Sequence, residues 1–373
     1  MCWIVLAWLL IASGRADAQS FEWKAGAFGF FDNGEYSKME DGVLSQTMFG
    51  IRFSPEVGLK YKDFGLFVGT HLLTSFGSPK YLDKVYFTGY FQYENPRHKF
   101  LFGAFPRQGL LDNYTNIYIR DSFQYFRPNM TGLFYQFTGR SQFVNLWLDW
   151  TGARSKTVRE AFFVGLSGEQ RIKWFFVSLL GYYYHYSHTK PVSLLGYYYH
   201  YANTRPVSGD GVVHDNGQGQ VGIGFDFSGY ARRLEKMRFS ASFMLGYECK
   251  RDHATPVSMP MGFVLDLHAQ YWRVGTRTLY YYGQERYTVP TDVWANTYWG
   301  NPMLRAKSYL QSEWYVEFFK NDFVEAKAAF VFHLQGSRFG TQQMVRLCVN
   351  LDGSIYSKRD PEAEHGRYRF NFL

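Results

Sequence analysis

The sequence predicts an all-β chain: a closed transmembrane antiparallel β-barrel of about 16 strands (range about 14–18), with short turns at one end and long loops at the other. Three observations predict it. Apolar and polar residues alternate with a period of two along nearly the whole chain. Aromatic residues make up 20% of the chain, with 36 Phe and 30 Tyr, yet mean hydropathy is −0.30. A membrane barrel has this composition because half of each strand faces a polar interior. Finally, short connections alternate with long ones, a rule that sheet sandwiches lack.

The first element is an export signal. Residues 3–12 (WIVLAWLLIA) form a short apolar core followed by Ala16-Asp17-Ala18, a small-residue cleavage pattern too short for a spanning helix. Residues 1–18 are thus expected to be removed, leaving 19–373 as a single barrel domain. No later segment carries the ~20 consecutive apolar residues of a spanning helix.

The strands come next. Val85, Phe87, Phe91 and Tyr93 oppose Tyr86, Thr88, Tyr90 and Gln92. Val221, Ile223, Phe225 and Phe227 oppose Gln220, Gly222, Gly224 and Asp226. Met237–Glu248 and Phe263–Tyr271 follow the same rule. Small and charged residues on the second face predict a wet lumen rather than a packed interior. Short turns are expected at Lys62-Asp63, Asn95-Pro96-Arg97, Gly139-Arg140-Ser141, Glu169-Gln170 and Asn321-Asp322. Long loops are expected at 33–44, 76–83, 107–130, 151–159, 187–216, 284–307 and 352–364. Short periplasmic turns and long outer loops are the barrel signature.

One repeat interrupts the pattern. Val177–Pro191 (VSLLGYYYHYSHTKP) recurs almost verbatim as Val192–Pro206 (VSLLGYYYHYANTRP). One copy completes a strand that starts near Lys173. The second is expected to lengthen an outer loop, because one added strand would invert every later one.

The formal net charge is +8, without a Lys/Arg-dense run or nucleic-acid motif, so the bias is read as a mild preference for anions. Cys249 and Cys348 are isolated; a single disulfide between them is conceivable, whereas a disulfide scaffold or cysteine metal site is not.

The last element is His365–Leu373 (HGRYRFNFL), where Tyr368, Phe370 and Phe372 alternate with Arg367, Arg369 and Asn371. It resembles the terminal strand of Gram-negative outer-membrane β-barrels, whose assembly machinery reads an aromatic-rich C-terminal strand. That family usually ends on Phe or Trp, whereas Leu373 follows Phe372 here. The resemblance places Tyr368, Phe370 and Phe372 in the assembly signal. Over the whole exported chain it implies a porin-like channel in the outer membrane for passive diffusion of small hydrophilic solutes, with weak anion selectivity. Outer-membrane lipid, the assembly machinery and the solutes are then the expected partners, and self-association into a homo-oligomer stays open. Neither a cofactor, nor a metal, nor a nucleic-acid partner is expected, and the chain is not expected to be an enzyme.

In porins the third outer loop folds into the barrel and narrows it. Arg107–Met130 is the third long loop here, and its Arg107, Asp112, Arg120, Asp121 and Arg127 have the mixed charge of a constriction. Lumen-facing candidates are Arg52, Lys60, Asp226, Arg238, Asp266, His268, Glu313, Glu317 and Arg346, with Asp149, Glu325, Lys327 and His333 beside them. The stretches Tyr182–Tyr184 and Tyr197–Tyr199 are read as an interfacial girdle rather than a sugar-stacking surface.

Two readings compete with the channel: a barrel hydrolase of lipid or peptide, and a non-conducting adhesin or scaffold. His214-Asp215-Asn216-Gly217 resembles the local motif of outer-membrane phospholipases, but the nucleophilic Ser two residues after the His is Asn216 here. That stretch is therefore expected to be a loop before a strand. Asp266/His268 and Glu313/Glu317 share strand faces, a spacing any polar lumen wall shows.

Overall fold

The computed structural model describes residues 19–36, 39, 45–153, 160–186, 212–252, 254–286 and 301–355. Among them sixteen strands form one closed antiparallel ring. The first eight are β1 (Gln19–Glu35), β2 (Gln46–Tyr61), β3 (Phe64–Ser75), β4 (Lys84–Glu94), β5 (His98–Pro106), β6 (Asn129–Thr138), β7 (Gln142–Gly152) and β8 (Ala161–Ile172). The second eight are β9 (Phe175–Tyr186), β10 (His214–Asp226), β11 (Leu234–Lys250), β12 (Met261–Tyr271), β13 (Val274–Gly283), β14 (Ser308–Lys320), β15 (Val324–Gln335) and β16 (Arg338–Ile355). No helix among the described residues is long and apolar enough to cross a membrane.

Each strand pairs with its sequence neighbours, and β1 closes the ring against β16, with Phe30 opposite Arg346 on one side and Gly50 on the other. Closure leaves no strand edge unpaired. The closing strand is thus Arg338–Ile355, which runs into the expected 352–364 loop. Tyr368, Phe370 and Phe372, like the signal segment 1–18, lie outside the described residues.

The two-residue period decides what faces out. Leu66, Phe87, Ile223 and Phe263 are 62%, 74%, 55% and 62% exposed, and their strand neighbours point into the ring. A continuous band of exposed apolar side chains suits a hydrocarbon environment, not water.

One end carries short turns, at 62–63, 95–97, 139–141, 173–174, 272–273 and 321–323, with a seven-residue connection at 227–233. The turn expected at Glu169-Gln170 lies four residues on, because β8 continues to Ile172. The other end carries the long connections 36–45, 76–83, 107–128, 153–160, 187–213, 251–260 and 284–307, with one tight turn at Gly336. Strands β9 and β10 pair directly, Leu179 opposite Val221 and Tyr186 opposite His214. The second copy of the repeat, 192–206, which was expected to lengthen the outer loop, lies outside the described residues.

Candidate functional site

The segment between β5 and β6 enters the barrel. It carries a one-turn helix, α1 (Asp121–Phe126), whose Phe123, Tyr125 and Phe126 are buried. Tyr114 donates to the carbonyls of Leu166 and Gly181 at 2.9 Å each, and Tyr118 reaches Gln220 at 3.2 Å. On the opposite wall Tyr125 donates to Asp32 at 3.0 Å, its ring 4.4 Å from that of Phe30. These contacts, on β8, β9 and β10 at one end and β1 at the other, carry the segment across the lumen.

Its charged residues hold it there. Arg107 pairs with Asp149 of β7 and donates to the Asn129 and Arg127 carbonyls, tying the start of the segment to its end. Asp121 pairs with Arg346 of β16 at 2.6 Å, while Arg52 of β2 donates to the carbonyls of Gln124 and Tyr125. Arg120 lies over the Phe123 ring, and the Arg127 amide closes α1 on the Phe123 carbonyl. Asp112 sits with Glu94, Arg97 and His98 around a cavity at the short-turn end. Burial pushes its carboxyl up to about 7.

The other expected lumen residues sit in wall pairs. Asp266 meets Arg277 at 3.1 Å, His268 meets Tyr315 at 2.8 Å, and Glu313 meets Lys327 at 2.6 Å. Glu317 accepts from Gln270 at 2.6 Å and pairs with Lys320. Asp226, Arg238, Glu169 and Arg171 form one network near the short-turn end, and Lys60 lies at that end of β2. Spent on walls and loop, these charges leave no single-sign ladder.

The expectation of a wet interior fails over half the ring. Inward Phe134, Trp147, Phe163, Tyr182, Tyr184, Met244, Val264, Leu279, Tyr281 and Tyr309 join Leu110, Tyr114, Ile117 and Tyr118 of the crossing segment in one buried apolar cluster. Met303 and Leu304, from a short 3₁₀ turn at Pro302–Arg305, complete it. Tyr182 and Tyr184 are thus core residues, not a girdle. Among the described residues the cavities left include about 110 Å³ on the long-loop side, beside Asp32 and His333, about 90 Å³ beside Arg52 and Arg346, and about 440 Å³ at the short-turn end, around Asp112. Each has room for several waters.

Two arrangements carry reactive chemistry. Inside, Ser54 Oγ lies 2.6 Å from His71 Nδ1, a hydroxyl within reach of a base. The His71 ring is buried, its Nε2 makes no hydrogen bond, and the pair sits in a crevice with Pro106, Gln108 and Cys348, away from the outer wall. Cys348 and Cys249 are both free thiols on opposite faces of the wall, which rules out the disulfide between them.

The second arrangement is on the outer wall, at the long-loop end. His214–Gly217 does not form a loop: it opens β10. Asp215 shares the outward parity of Val221, Ile223 and Phe225, and its carboxylate is nearly fully covered. It accepts from Tyr183 Oη at 2.6 Å, from His185 Nδ1 at 2.7 Å and from Arg251 Nε at 2.5 Å. A carboxylate accepting at Nδ1 fixes the tautomer and leaves Nε2 of the neutral ring as a base. The His185 ring lies 5.0 Å from Phe162, itself stacked on Trp150. Arg251, in the loop after β11, is over half exposed, and its bond to Asp215 raises its pKa still further. Sequence reasoning missed this trio. Its signal was a carboxylate and an imidazole at outward parity in strands whose other outward residues are apolar.

Among the described residues, no group of three or more His, Cys, Asp or Glu is placed to hold a metal ion.

The chain matches the model of the lipid A 3'-O-deacylase-type family over residues 14–356 and belongs to that family. This overturns the expectation that it is not an enzyme, since the family is described by a deacylation. In fold it is similar to OmpT, an outer-membrane protein of Vibrio cholerae, in its in-vitro folded trimer form: 10% identity and a TM-score of 0.54, over 90% of this chain and 100% of that one. It is likewise similar to OccK3 (OpdO) of Pseudomonas aeruginosa, at 8% identity and a TM-score of 0.51, over 90% and 96% of the two chains. No curated protein matches the sequence.

Proposed function

We propose that this member of the lipid A 3'-O-deacylase-type family is an outer-membrane hydrolase that removes an ester-linked acyl chain from a lipid of the outer leaflet. The observation that carries this reading is the imidazole of His185, oriented by a buried carboxylate and presented on the outer wall at the long-loop end. A lipid ester lies at that height in the membrane, alongside the barrel rather than within it. We further propose that residues 1–18 are a cleaved export signal and that the long loops face outwards.

The reaction follows from the roles of the three side chains. His185 Nε2 takes a proton from water as the water oxygen bonds to the acyl carbonyl carbon. Arg251, a cation whose side chain is over half exposed, stabilises the oxyanion. The ester C–O bond then breaks, His185 returns its proton to the leaving alkoxide, and a carboxylic acid departs. Asp215 keeps the ring in the required tautomer and stabilises the imidazolium, without itself becoming protonated.

The interior supports the same reading over a diffusion channel. Cations expected to line a solute path instead hold a segment across the lumen, and an apolar core fills much of the ring. The Ser54–His71 pair has nucleophile and base in contact, but its crevice faces the lumen, where a bilayer lipid has no access.

The test is incubation of the reconstituted barrel with vesicles containing lipid A, with released fatty acid measured by mass spectrometry. His185→Ala should lower the rate about 10²–10⁴-fold, the contribution of a positioned base. Absence of acid release by the wild-type barrel would overturn the proposal.

A further inference from the structure

Below the trio, the outer wall lacks side chains at two adjacent positions. Gly181 of β9 lies directly opposite Gly219 of β10, both at outward parity. Leu166 of β8 flanks Gly181, and Leu245 of β11 flanks Gly219. The row therefore reads Leu, Gly, Gly, Leu across four strands. One row nearer the long-loop end stand Tyr183, Gly217 and Tyr247; one row further from it, Leu179, Val221 and Phe243 restore a full apolar surface. The result is a notch walled by leucines and roofed by tyrosines.

The two glycines have different reasons. A Cβ at Gly181 would lie 2.7 Å from the Gln218 carbonyl and 2.9 Å from the Gly219 Cα, so close strand approach requires glycine there. At Gly219 the nearest atom would be 4.0 Å away, and φ is not in the left-handed region. Packing would accept a side chain at Gly219, yet the position carries none.

Height decides the occupant. His185 lies four residues beyond Gly181 on β9, toward the long-loop end, about 13 Å along the strand at roughly 3.3 Å per residue. One leaflet contributes about 15 Å of a hydrocarbon core of ~30 Å. A chain whose ester carbonyl sits at His185 thus reaches the notch without leaving its leaflet. Arg251, over half exposed just past the top of β11, places a cation where an anionic headgroup would lie.

We infer that the Gly181–Gly219 notch seats the acyl chain of the lipid whose ester is cleaved at His185, and so selects long-chain substrates. This rests on the hydrolase reading above and names the substrate-positioning part of that site. Gly219 is a positioning residue: it acts by leaving room, not by touching the reacting atoms.

The experiment compares a short and a long ester, p-nitrophenyl butyrate and p-nitrophenyl myristate, on the detergent-folded full chain, with Gly219→Leu, Gly219→Ala and His185→Ala. Each variant is first checked for the mobility shift between unboiled and boiled samples that marks a folded barrel. Gly219→Leu should lower kcat/KM for the long ester about tenfold relative to the short one, the scale of losing a methylene's worth of pocket contact. Gly219→Ala should do so less, and it stands in if the leucine variant does not fold. His185→Ala should remove both activities together. A long-to-short ratio in the Gly219 variants within about twofold of wild type overturns the notch, whether both activities persist or both fall. If the wild-type barrel hydrolyses neither ester nor lipid A, the hydrolase reading itself is lost.

Discussion

Breaking the Arg107–Asp149 pair should undo the crossing segment more than any other single polar change. The two side chains are 7% and 3% exposed, so neither has water to fall back on. Arg107 also donates to the Asn129 carbonyl at 2.9 Å and the Arg127 carbonyl at 3.2 Å, and Asp149 accepts the Thr131 amide at 2.9 Å. Arg107→Met leaves the buried Asp149 carboxylate without its counter-ion, and Asp149→Leu leaves the buried Arg107 guanidinium without its own. Removing one partner of such a pair costs about 3–5 kcal/mol, whereas replacing both with apolar side chains of similar volume is often neutral. The single costs sum to about 6–10 kcal/mol, so the double variant Arg107→Met/Asp149→Leu should lie well above that sum in stability, with a coupling of at least about 3 kcal/mol. Urea unfolding of the micelle-folded barrel, followed by tryptophan fluorescence, gives the three midpoints; equal slopes ensure that stability is being compared. Additivity within about 0.5 kcal/mol would refute the reasoning, since the two groups would then not depend on each other. A planar-bilayer recording adds a functional arm: either single variant should conduct more than the wild type, because the segment it loosens crosses the lumen.

Three further outcomes follow from the same structure. Trp147, 2% exposed and donating to Tyr114 at 3.1 Å, anchors the apolar half of the lumen, so Trp147→Ala should cost about 3–5 kcal/mol in the same titration. A loss below about 1 kcal/mol would mean that the cluster is not a packed core. Deleting residues 192–206 should leave the barrel folded, seen as an unchanged shift on boiling and an unchanged far-ultraviolet strand signal, because β9 already pairs with β10. Asp112 supplies a pH dependence: burial raises its pKa from 3.8 to about 7. Through that window the folded chain holds a proton that the unfolded chain has released, so its contribution to stability falls as pH rises and levels off above about 7. Asp112→Asn should remove that fall, measured as the difference between urea midpoints at acidic and neutral pH in the two proteins.

The ring was legible because strand parity is local. Val221, Ile223 and Phe225 announce an outward face within five residues, and closure into about 16 strands follows from repeating that pattern. Turns were legible where polar residues interrupt the alternation, as at Asn95-Pro96-Arg97 and at Lys62-Asp63, even though Lys62 takes a left-handed φ of 52°. The turn after β8 escaped, where Lys173 takes a left-handed φ of 56° without Gly or Asn to signal it, and Trp272 does the same at 55°. The interior misled for another reason. Tyr and Trp at inward positions read equally well as girdle or core, and the choice depends on what enters the lumen. For Trp147 and Tyr182 that partner is Tyr114 or Tyr118, from a segment remote from each of them in sequence. The His185–Asp215 pair was hidden twice, once inside a repeated segment and once inside a motif that fails for lack of a serine.

These two misreadings have one physical origin. A barrel interior is a polar surface only if water fills it, and here a folded segment does. With Arg107 paired to Asp149 and Arg346 to Asp121 in holding that segment, these charges are not presented to a passing solute. The outer wall shows the reverse. A membrane barrel gains by keeping that wall apolar: an Arg or Lys there costs about 2–4 kcal/mol at mid-bilayer and about 0–1 near the interface, and a carboxylate less. The fold tolerates Asp215 because it lies near the rim, is nearly fully covered, and receives three donors. A carboxylate placed on the wrong face at a tolerable height, and oriented so that an imidazole base remains free, is a cost that packing does not explain. The proposed chemistry on a lipid held against that wall would explain it, and the proposed notch would explain why Gly219, opposite Gly181, carries no side chain.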